Sequence, residues 1–141
     1  MMLQWQLLGK MVLAMVLGGV LGYERETADK PAGLRTHMLV AGASALLTGL
    51  GEVLVPQLGI AESLIRADPI RMIEAVITGI TFLGTGTIIR QRGKNQVEGL
   101  TTAASLLMAG ALGIGVALNQ FLLAIGAAVI VLLILRVVKE V

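Results

Sequence analysis

Three charged residues, Asp68, Arg71 and Glu74, stand at intervals of three at the beginning of an apolar segment. Residues three apart lie on one face of a helix, so a helical segment would align these side chains. Two carboxylates beside hydroxyl groups are oxygen ligands that Mg²⁺ accepts while it keeps some of its waters. The same spacing is also typical of a helix cap followed by a ladder of ion pairs. The sequence leaves both interpretations open and assigns no metal ligands.

The same segment is rich in threonine and glycine: Thr78, Gly79, Thr81, Gly84, Thr85, Gly86 and Thr87. Threonine hydroxyls in a helix can donate to carbonyl groups of the preceding turn. They could instead line a polar path that faces Thr101, Thr102 and Ser105. The Gly-Thr-Gly-Thr stretch has low helix propensity, and a helix break there would free carbonyl groups inside a bundle. The segment is therefore either a packed helix or one wall of a polar path.

A second group of charges lies between Glu24 and Arg35, where three acidic and three basic residues occur. Exposed ion pairs contribute little to stability, but they can hold two helix ends in register. Glu24, Arg25 and Arg35 are the candidates for such a role. Thr36 and either Thr101 or Thr102 stand at the starts of two apolar segments, where a hydroxyl can cap exposed N–H groups. Helix N-termini of this kind also attract an anionic headgroup or a protein carboxylate.

Eighteen glycines are the main anomaly of the composition. Close packing at small residues drives much of the association between helices in a bilayer. The glycines that we assign to helix packing are Gly18, Gly22, Gly79, Gly84 and Gly86. They predict helix contacts within one bundle, or else the seam of a homo-oligomer, with a dimer favoured.

The residue types that the sequence lacks exclude several kinds of site. There is no cysteine, which excludes disulfides, thiolate metal sites and cysteine nucleophiles. His37 is the single histidine, so a histidine-rich metal cage is excluded as well. Neither a nucleophile–base pair nor a metal triad is apparent, so we predict no enzymatic activity and no cofactor, with Mg²⁺ the one ion considered. The basic residues are scattered singly, so no nucleic-acid partner is predicted.

These residues are carried by a chain that is too apolar for a water-soluble domain. Of its 141 residues, 56% are hydrophobic and only 14% are charged, whereas a soluble domain has roughly 25% charged residues. A bilayer core of about 30 Å needs about 20 apolar residues in a helix. The sequence predicts one all-α transmembrane domain over residues 1–141, with five spans at about 3–22, 36–55, 69–89, 99–117 and 120–138.

A single polar pair separates the last two spans. No charged residue occurs between Gly99 and Leu135. One helix over that length would rise roughly 55 Å, so the chain must fold back at Asn119-Gln120. A four-span arrangement, in which the first helix lies in the membrane interface, is the alternative. Lys10 lies within the first span and is expected to extend to the membrane surface.

The basic residues predict which side of the membrane each end of the chain occupies. With the N-terminus outside, eight basic residues lie inside and three outside, in agreement with the positive-inside rule. The predicted topology therefore has the N-terminus outside and the C-terminus in the cytoplasm. The stretches that begin at Gly33 and Gly99 are weakly similar, which suggests a parallel repeat of two helical hairpins followed by a fifth helix.

Two motifs resemble the signatures of the MgtC/SapB family. The first is Gly22-Tyr23-Glu24-Arg25-Glu26 with AGLRTHMLVAGA after Lys30, and the second is Asp68-Pro69-Ile70-Arg71 with GITFLGTGTIIR and GLTTAASL. The resemblance extends from about Gly18 to Gly113. The positions that match the family motifs are Glu24, Arg25, Gly33, Leu34, Arg35, Thr36, Asp68, Arg71, Gly79, Gly84, Gly86, Gly99, Leu100 and Thr102.

The resemblance implies a bacterial or archaeal inner-membrane protein of about five spans that is linked to growth at low magnesium. It also implies action through other membrane proteins, including the proton-driven ATP synthase, in place of magnesium transport. Two features depart from the family pattern: Glu98 stands where an arginine is frequent, and the sequence stops at Val141 without the soluble C-terminal domain of longer members. Functions that need that domain, and the family's virulence role, are therefore not assigned. A small Mg²⁺ or H⁺ channel or transporter is the alternative hypothesis.

Overall fold

The computed structural model describes residues 1–57, 69–90 and 97–138. Five helices carry most of these residues: α1 (Met2–Thr27), α2 (Leu34–Gln57), α3 (Pro69–Thr87), α4 (Leu100–Ala117) and α5 (Phe121–Val137). Two short strands, β1 (Ile89–Arg90) and β2 (Val97–Glu98), pair antiparallel between α3 and α4. The prediction of an all-α chain with five helices is confirmed, whereas no sequence pattern predicted the strand pair.

Proline, asparagine and glycine set several of the helix ends. α3 begins at Pro69, whose ring is tolerated in the first turn of a helix. α4 and α5 are joined by a short turn in which Asn119 has a left-handed φ of 61°, a conformation that asparagine tolerates. Gly99 precedes α4 with a φ of 93°, and a Cβ there would collide with the backbone at the end of α3. Only glycine fits that position without strain.

α4 lies at the centre of the bundle. It packs against α1, α2, α3 and α5, and α1 and α2 also pack closely on each other. Small residues allow this approach: a Cβ added at Gly18 of α1 would lie 2.6 Å from the Ala41 Cβ of α2. A Cβ added at Gly113 of α4 would lie 2.9 Å from the Ser44 Cβ of α2. The largest apolar side chains that are fully buried in this core are Leu21, Leu106, Leu112 and Val116.

Within residues 1–57, 69–90 and 97–138, α3 packs on one side only. It contacts α4 and, to a smaller extent, α2, and Gly84 brings its backbone close to Ala103 of α4. The other side is exposed: Gly79 and Gly86 have no atom within 4 Å of a Cβ position in the described part of the chain, and Phe82 is 80% exposed. The helix is continuous to Thr87, so the break considered from the Gly-Thr-Gly-Thr sequence is not found.

The outer surface of the bundle is apolar. Among the described helices, α1 and α4 are long and apolar enough to cross a membrane, and the shorter α5 is apolar as well. α5 exposes many large apolar side chains, of which Leu122 is 87% exposed. Trp5 and Tyr23 are exposed near the two ends of α1, roughly 27 Å apart at 1.5 Å per residue. An exposed apolar surface of this extent is typical of a contact with a membrane or with another protein.

Candidate functional site

Several helix termini meet at one end of the bundle, which we call the charged end. Residues of the α1 C-terminus, the first turn of α4 and the α5 C-terminus line one cavity there. At the opposite end, Lys10 Nζ donates to the Ala117 carbonyl oxygen at 2.7 Å. Lys10 was expected to extend to the membrane surface, but it binds the C-terminal end of α4, where the helix dipole favours a cation.

Glu24 and Arg25 form a buried ion pair at the charged end. Arg25 Nε donates to Glu24 Oε2 at 2.7 Å, and Arg25 Nη2 donates to Glu24 Oε1 at 3.2 Å. The exposed fractions are 8% for Glu24 and 4% for Arg25. The sequence suggested an exposed run of ion pairs that includes these two residues. The structure shows instead that both are buried. Removing either partner would leave an uncompensated buried charge, so each residue depends on the other.

His37 links the starts of α2 and α4 through a buried network. His37 Nδ1 lies 2.9 Å from the Gly33 carbonyl oxygen, and His37 Nε2 lies 2.9 Å from Ser105 Oγ. Ser105 Oγ also lies 2.8 Å from the Thr102 carbonyl oxygen, to which it can donate. A carbonyl only accepts, so Nδ1 carries a proton. In the neutral ring Nε2 then accepts, and the single Ser105 proton has two acceptors to choose between.

A cavity of about 660 Å³ opens at the charged end. Among the described residues, its charged lining consists of three basic residues and one acidic residue, which are Arg25, Lys30, Arg136 and Glu24. Thr101, in the first turn of α4, contributes a hydroxyl, and the end of α5 contributes apolar side chains. The formal excess of two positive charges in a partly apolar wall makes this cavity electropositive.

The caps predicted at Thr36 and Thr102 are not found. Glu26 Oε2 instead accepts a hydrogen bond from Leu34 N at 2.8 Å, which caps α2 from the preceding segment. Thr36 lies exposed inside the first turn of α2, because this helix begins two residues earlier than predicted. Thr102 is buried in the His37 network, and α4 begins at Leu100 without a side-chain cap.

The other predicted site residues lie away from this network. Arg35 is exposed on the first turn of α2. Arg71 and Glu74 are exposed on α3, where the neighbouring Met72 lies against the C-terminal half of α2. This contact places the start of α3 toward the end opposite the charged end. Asp68 lies outside the described residues, so a shared face of Asp68, Arg71 and Glu74 stays a prediction.

The threonines of α3 bond to their own helix. Thr78, Thr81 and Thr85 are exposed, and their hydroxyls donate to the carbonyl oxygens four residues earlier at 2.7 to 2.8 Å. Of the two interpretations of this segment, the packed helix with backbone-bonded hydroxyls is the one observed. Thr102 and Ser105, which were expected to face these threonines, belong to the His37 network instead.

The five predicted packing glycines divide into two groups. Gly18 and Gly22 lie against α2, where a Cβ on either would come within 2.8 Å of the backbone near Gly33 or His37. Gly84 contacts α4. Gly79 and Gly86 have no such neighbour in the described part of the chain, so packing among the described residues does not account for them.

The histidine and the serine of the His37 network do not form an accessible catalytic pair. His37 and Ser105 resemble a base and a nucleophile in type, a pair that was not apparent from the sequence. They are 0% and 2% exposed, and the Ser105 hydroxyl lies against the Thr102 carbonyl, so a substrate cannot reach either. No three acidic or histidine side chains come together as metal ligands within residues 1–57, 69–90 and 97–138.

Comparison with known proteins gives several relatives of similar sequence. An uncharacterized protein of Haemophilus influenzae is 37% identical over 127 residues, which is 90% of this chain and 53% of that protein. YhiD of Escherichia coli K12, a candidate magnesium transporter, is 36% identical over 135 residues, 93% of this chain and 60% of its own length. MgtC of Salmonella typhimurium is 35% identical over 131 residues, 93% of this chain and 52% of its own length.

The chain thus spans between 52% and 60% of the length of these three relatives. No solved structure matches it at a significant level. The model of the MgtC family matches residues 11–141, which include the buried Glu24–Arg25 pair, the His37 network and the cavity of the charged end. The chain therefore belongs to the MgtC family.

Proposed function

We propose that this chain is a multi-pass protein of the bacterial inner membrane that acts in magnesium homeostasis by binding other membrane proteins. It has no enzymatic activity of its own in this proposal, and it uses no cofactor. The membership in the MgtC family and the description of the relative YhiD as a candidate magnesium transporter support the magnesium role. The exposed apolar surface of α1 and α5 supports the proposed location in a membrane.

The proposed topology has five spans, the N-terminus outside and the C-terminus in the cytoplasm. The charged end then faces the cytoplasm, and the Lys10 end faces outward. Trp5 and Tyr23 support this placement of α1, because their separation of roughly 27 Å matches the distance between the two interfaces of a bilayer. The larger number of basic residues on the proposed cytoplasmic side supports the orientation.

The exposed side of α3 is the observation that carries the proposed partner binding. Gly79, Phe82 and Gly86 are spaced by three and four residues, so they share one helix face. Two small residues beside one large aromatic side chain suit the close approach of another helix in a bilayer. A second copy of this chain, most simply in a dimer, is one occupant of this face, and another membrane protein is the other.

The parallel repeat remains a proposal from the sequence, and it would relate two glycine contacts to each other. In the alignment of Gly33 with Gly99, His37 corresponds to Ala103. A Cβ at Gly22 would lie 2.8 Å from the His37 Cβ, and a Cβ at Gly84 would lie 3.3 Å from the Ala103 Cβ. Within each of the two proposed hairpins, α1–α2 and α3–α4, the two helices thus approach each other at corresponding positions.

A pair of single substitutions tests the partner-binding role of α3. Phe82→Ala removes an aromatic ring that is 80% exposed, whereas the control Leu122→Ala removes an apolar side chain that is 87% exposed on α5. We expect Phe82→Ala to fail and Leu122→Ala to succeed in supporting low-magnesium growth of a strain that depends on this chain. Equal growth of the two variants at equal protein levels would contradict the assignment of α3.

The alternative function is a small Mg²⁺ or H⁺ channel or transporter, which the description of YhiD favours. Full-length chain in liposomes that contain a Mg²⁺ or H⁺ reporter separates the two functions. The partner-binding proposal predicts no flux above that of empty liposomes. Flux that Asp68→Ala abolishes would contradict the partner-binding proposal and support transport.

A further inference from the structure

The cavity at the charged end contains a guanidinium group whose donors are not all used. Arg25 is 4% exposed, and its Nε and Nη2 bind Glu24. Its buried Nη1 has no hydrogen-bond partner in the described part of the chain. A buried donor without an acceptor is unfavourable, so an acceptor from outside the chain would stabilise this arrangement. The surplus of positive charge around the cavity favours an anionic acceptor.

Phosphate is the anion that these groups fit best. A guanidinium binds phosphate oxygens with parallel N–H groups, and Lys30 and Arg136 add two further cations to the same cavity. Thr101 lies in the first turn of α4, whose free N–H groups and helix dipole also favour an anion. These groups come from three separate helices and the segment after α1, and all of them line the same cavity.

An apolar groove begins where this cavity ends. A second cavity of about 350 Å³ is lined mainly by apolar side chains of α1, α2 and α5, and Arg136 lines both cavities. On α1 the groove extends from Tyr23 back to Met15, roughly 12 Å along the helix axis. In the proposed topology this direction leads from the cytoplasmic interface into the bilayer core. The dimensions and polarity of the groove suit an acyl chain.

We propose that the charged end is a binding site for an anionic phospholipid. The phosphate lies in the cavity with Arg25, Lys30 and Arg136, and one acyl chain lies in the groove that Arg136 joins to it. The apolar groove distinguishes this ligand from free phosphate, which would use only the charged part of the site. The excess of positive charge favours a lipid with net negative charge over a zwitterionic one. This inference rests on the membrane placement proposed above.

The test is a lipid titration of the full-length chain in detergent, followed by native mass spectrometry. The probes are phosphatidylglycerol, phosphatidylcholine and diacylglycerol with identical acyl chains, and inorganic phosphate as a competitor. We expect one phosphatidylglycerol to bind more tightly than phosphatidylcholine, and diacylglycerol to bind weakly. Displacement of the lipid by inorganic phosphate at equal concentration would contradict the role of the groove.

Charge variants show whether the lipid occupies this site. Arg136→Gln and Lys30→Gln should each weaken phosphatidylglycerol binding about fivefold, the effect of one basic group near an anionic lipid surface. Arg35→Gln is the matched control, because it removes the same charge from the same end of the bundle outside the cavity lining. An equal loss of binding in Arg35→Gln would show diffuse attraction and overturn the proposal, as would full binding by both cavity variants.

Arg25→Lys tests the unpartnered Nη1, because it keeps the charge and removes the second arm of the guanidinium. We expect weaker lipid binding by the folded variant, together with a lower thermal midpoint of unfolding without lipid, because a lysine cannot reproduce the two bonds from Arg25 to Glu24. If Arg25→Lys does not fold, the lipid binding of Arg136→Gln tests the site instead, because Arg136 is exposed. Failure of lipid binding together with normal low-magnesium growth of the wild-type chain would refute this site alone and leave the proposed function intact.

Discussion

Two buried serines of the core differ in the hydrogen-bond partners of their hydroxyl groups. Ser105 Oγ reaches His37 on another helix, whereas Ser44 Oγ donates only to the Val40 carbonyl of its own helix at 2.8 Å. The Val40 carbonyl also accepts the regular backbone bond of α2, so it does not depend on Ser44. His37 Nε2, in contrast, has no other partner within the described residues. The Ser105 hydroxyl is therefore the more important of the two for stability.

Alanine at each serine tests this difference. We predict that Ser105→Ala lowers the free energy of unfolding by about 1 to 3 kcal/mol, because it leaves a buried ring nitrogen without a partner. Ser44→Ala should lie within about 0.5 kcal/mol of the wild type. Thermal or denaturant unfolding in detergent measures both. Equal losses in the two variants would contradict the assigned role of the His37–Ser105 contact.

Sequence reasoning found some residues of the charged end and missed others for a physical reason. Glu24 and Arg25 stood out because charges beside an apolar segment are costly. His37 carried a comparable signal, since a lone histidine in an apolar segment needs a polar partner, but its partner Ser105 lies 68 positions away in the sequence. The Lys10 contact spans 107 positions. No local pattern encodes such contacts, because they depend on how the helices pack.

At the scale of the helices, glycine has two different roles in this chain. On α1, Gly18 allows the helix to approach α2 so closely that a Cβ would lie 2.6 Å from both the His37 carbonyl oxygen and the Ala41 Cβ. On α3, a Cβ at Gly79 would have no atom of the described residues within 4 Å. The sequence could not distinguish the two roles, because a small residue in an apolar helix indicates a helix contact but not which helix lies against it. The apolar runs of the sequence and the breaks at Pro69 and Asn119 did predict the helices themselves.

The same substitution at both glycines separates these roles. Gly18→Ala should lower the free energy of unfolding by about 1 to 3 kcal/mol, because the added methyl group forces α1 and α2 apart. Gly79→Ala should be neutral or stabilising by up to about 1 kcal/mol, because alanine favours the helix. Unfolding in mild detergent provides the comparison. A loss at Gly79 in excess of that at Gly18 would show that α3 is covered, as a homo-oligomer would require.

The whole molecule has two ends of different chemistry. The charged end holds the Glu24–Arg25 pair, the His37 network and the electropositive cavity, while at the other end Lys10 donates to the Ala117 carbonyl. Along α1 these ends are separated by roughly 22 Å. The proposed placement of the partner-binding face and of the lipid site in the membrane depends on one claim, which is that the charged end faces the cytoplasm.

Cysteine labelling in intact cells tests that claim directly, because the sequence contains no native cysteine. Ala28→Cys places a thiol at the exposed end of α1, and Gln120→Cys places one in the exposed turn between α4 and α5. We predict that a membrane-impermeant maleimide labels Gln120→Cys from outside and labels Ala28→Cys only after the membrane is permeabilised. Labelling of both thiols from the same side, or the reverse order, would contradict the topology and the account built on it.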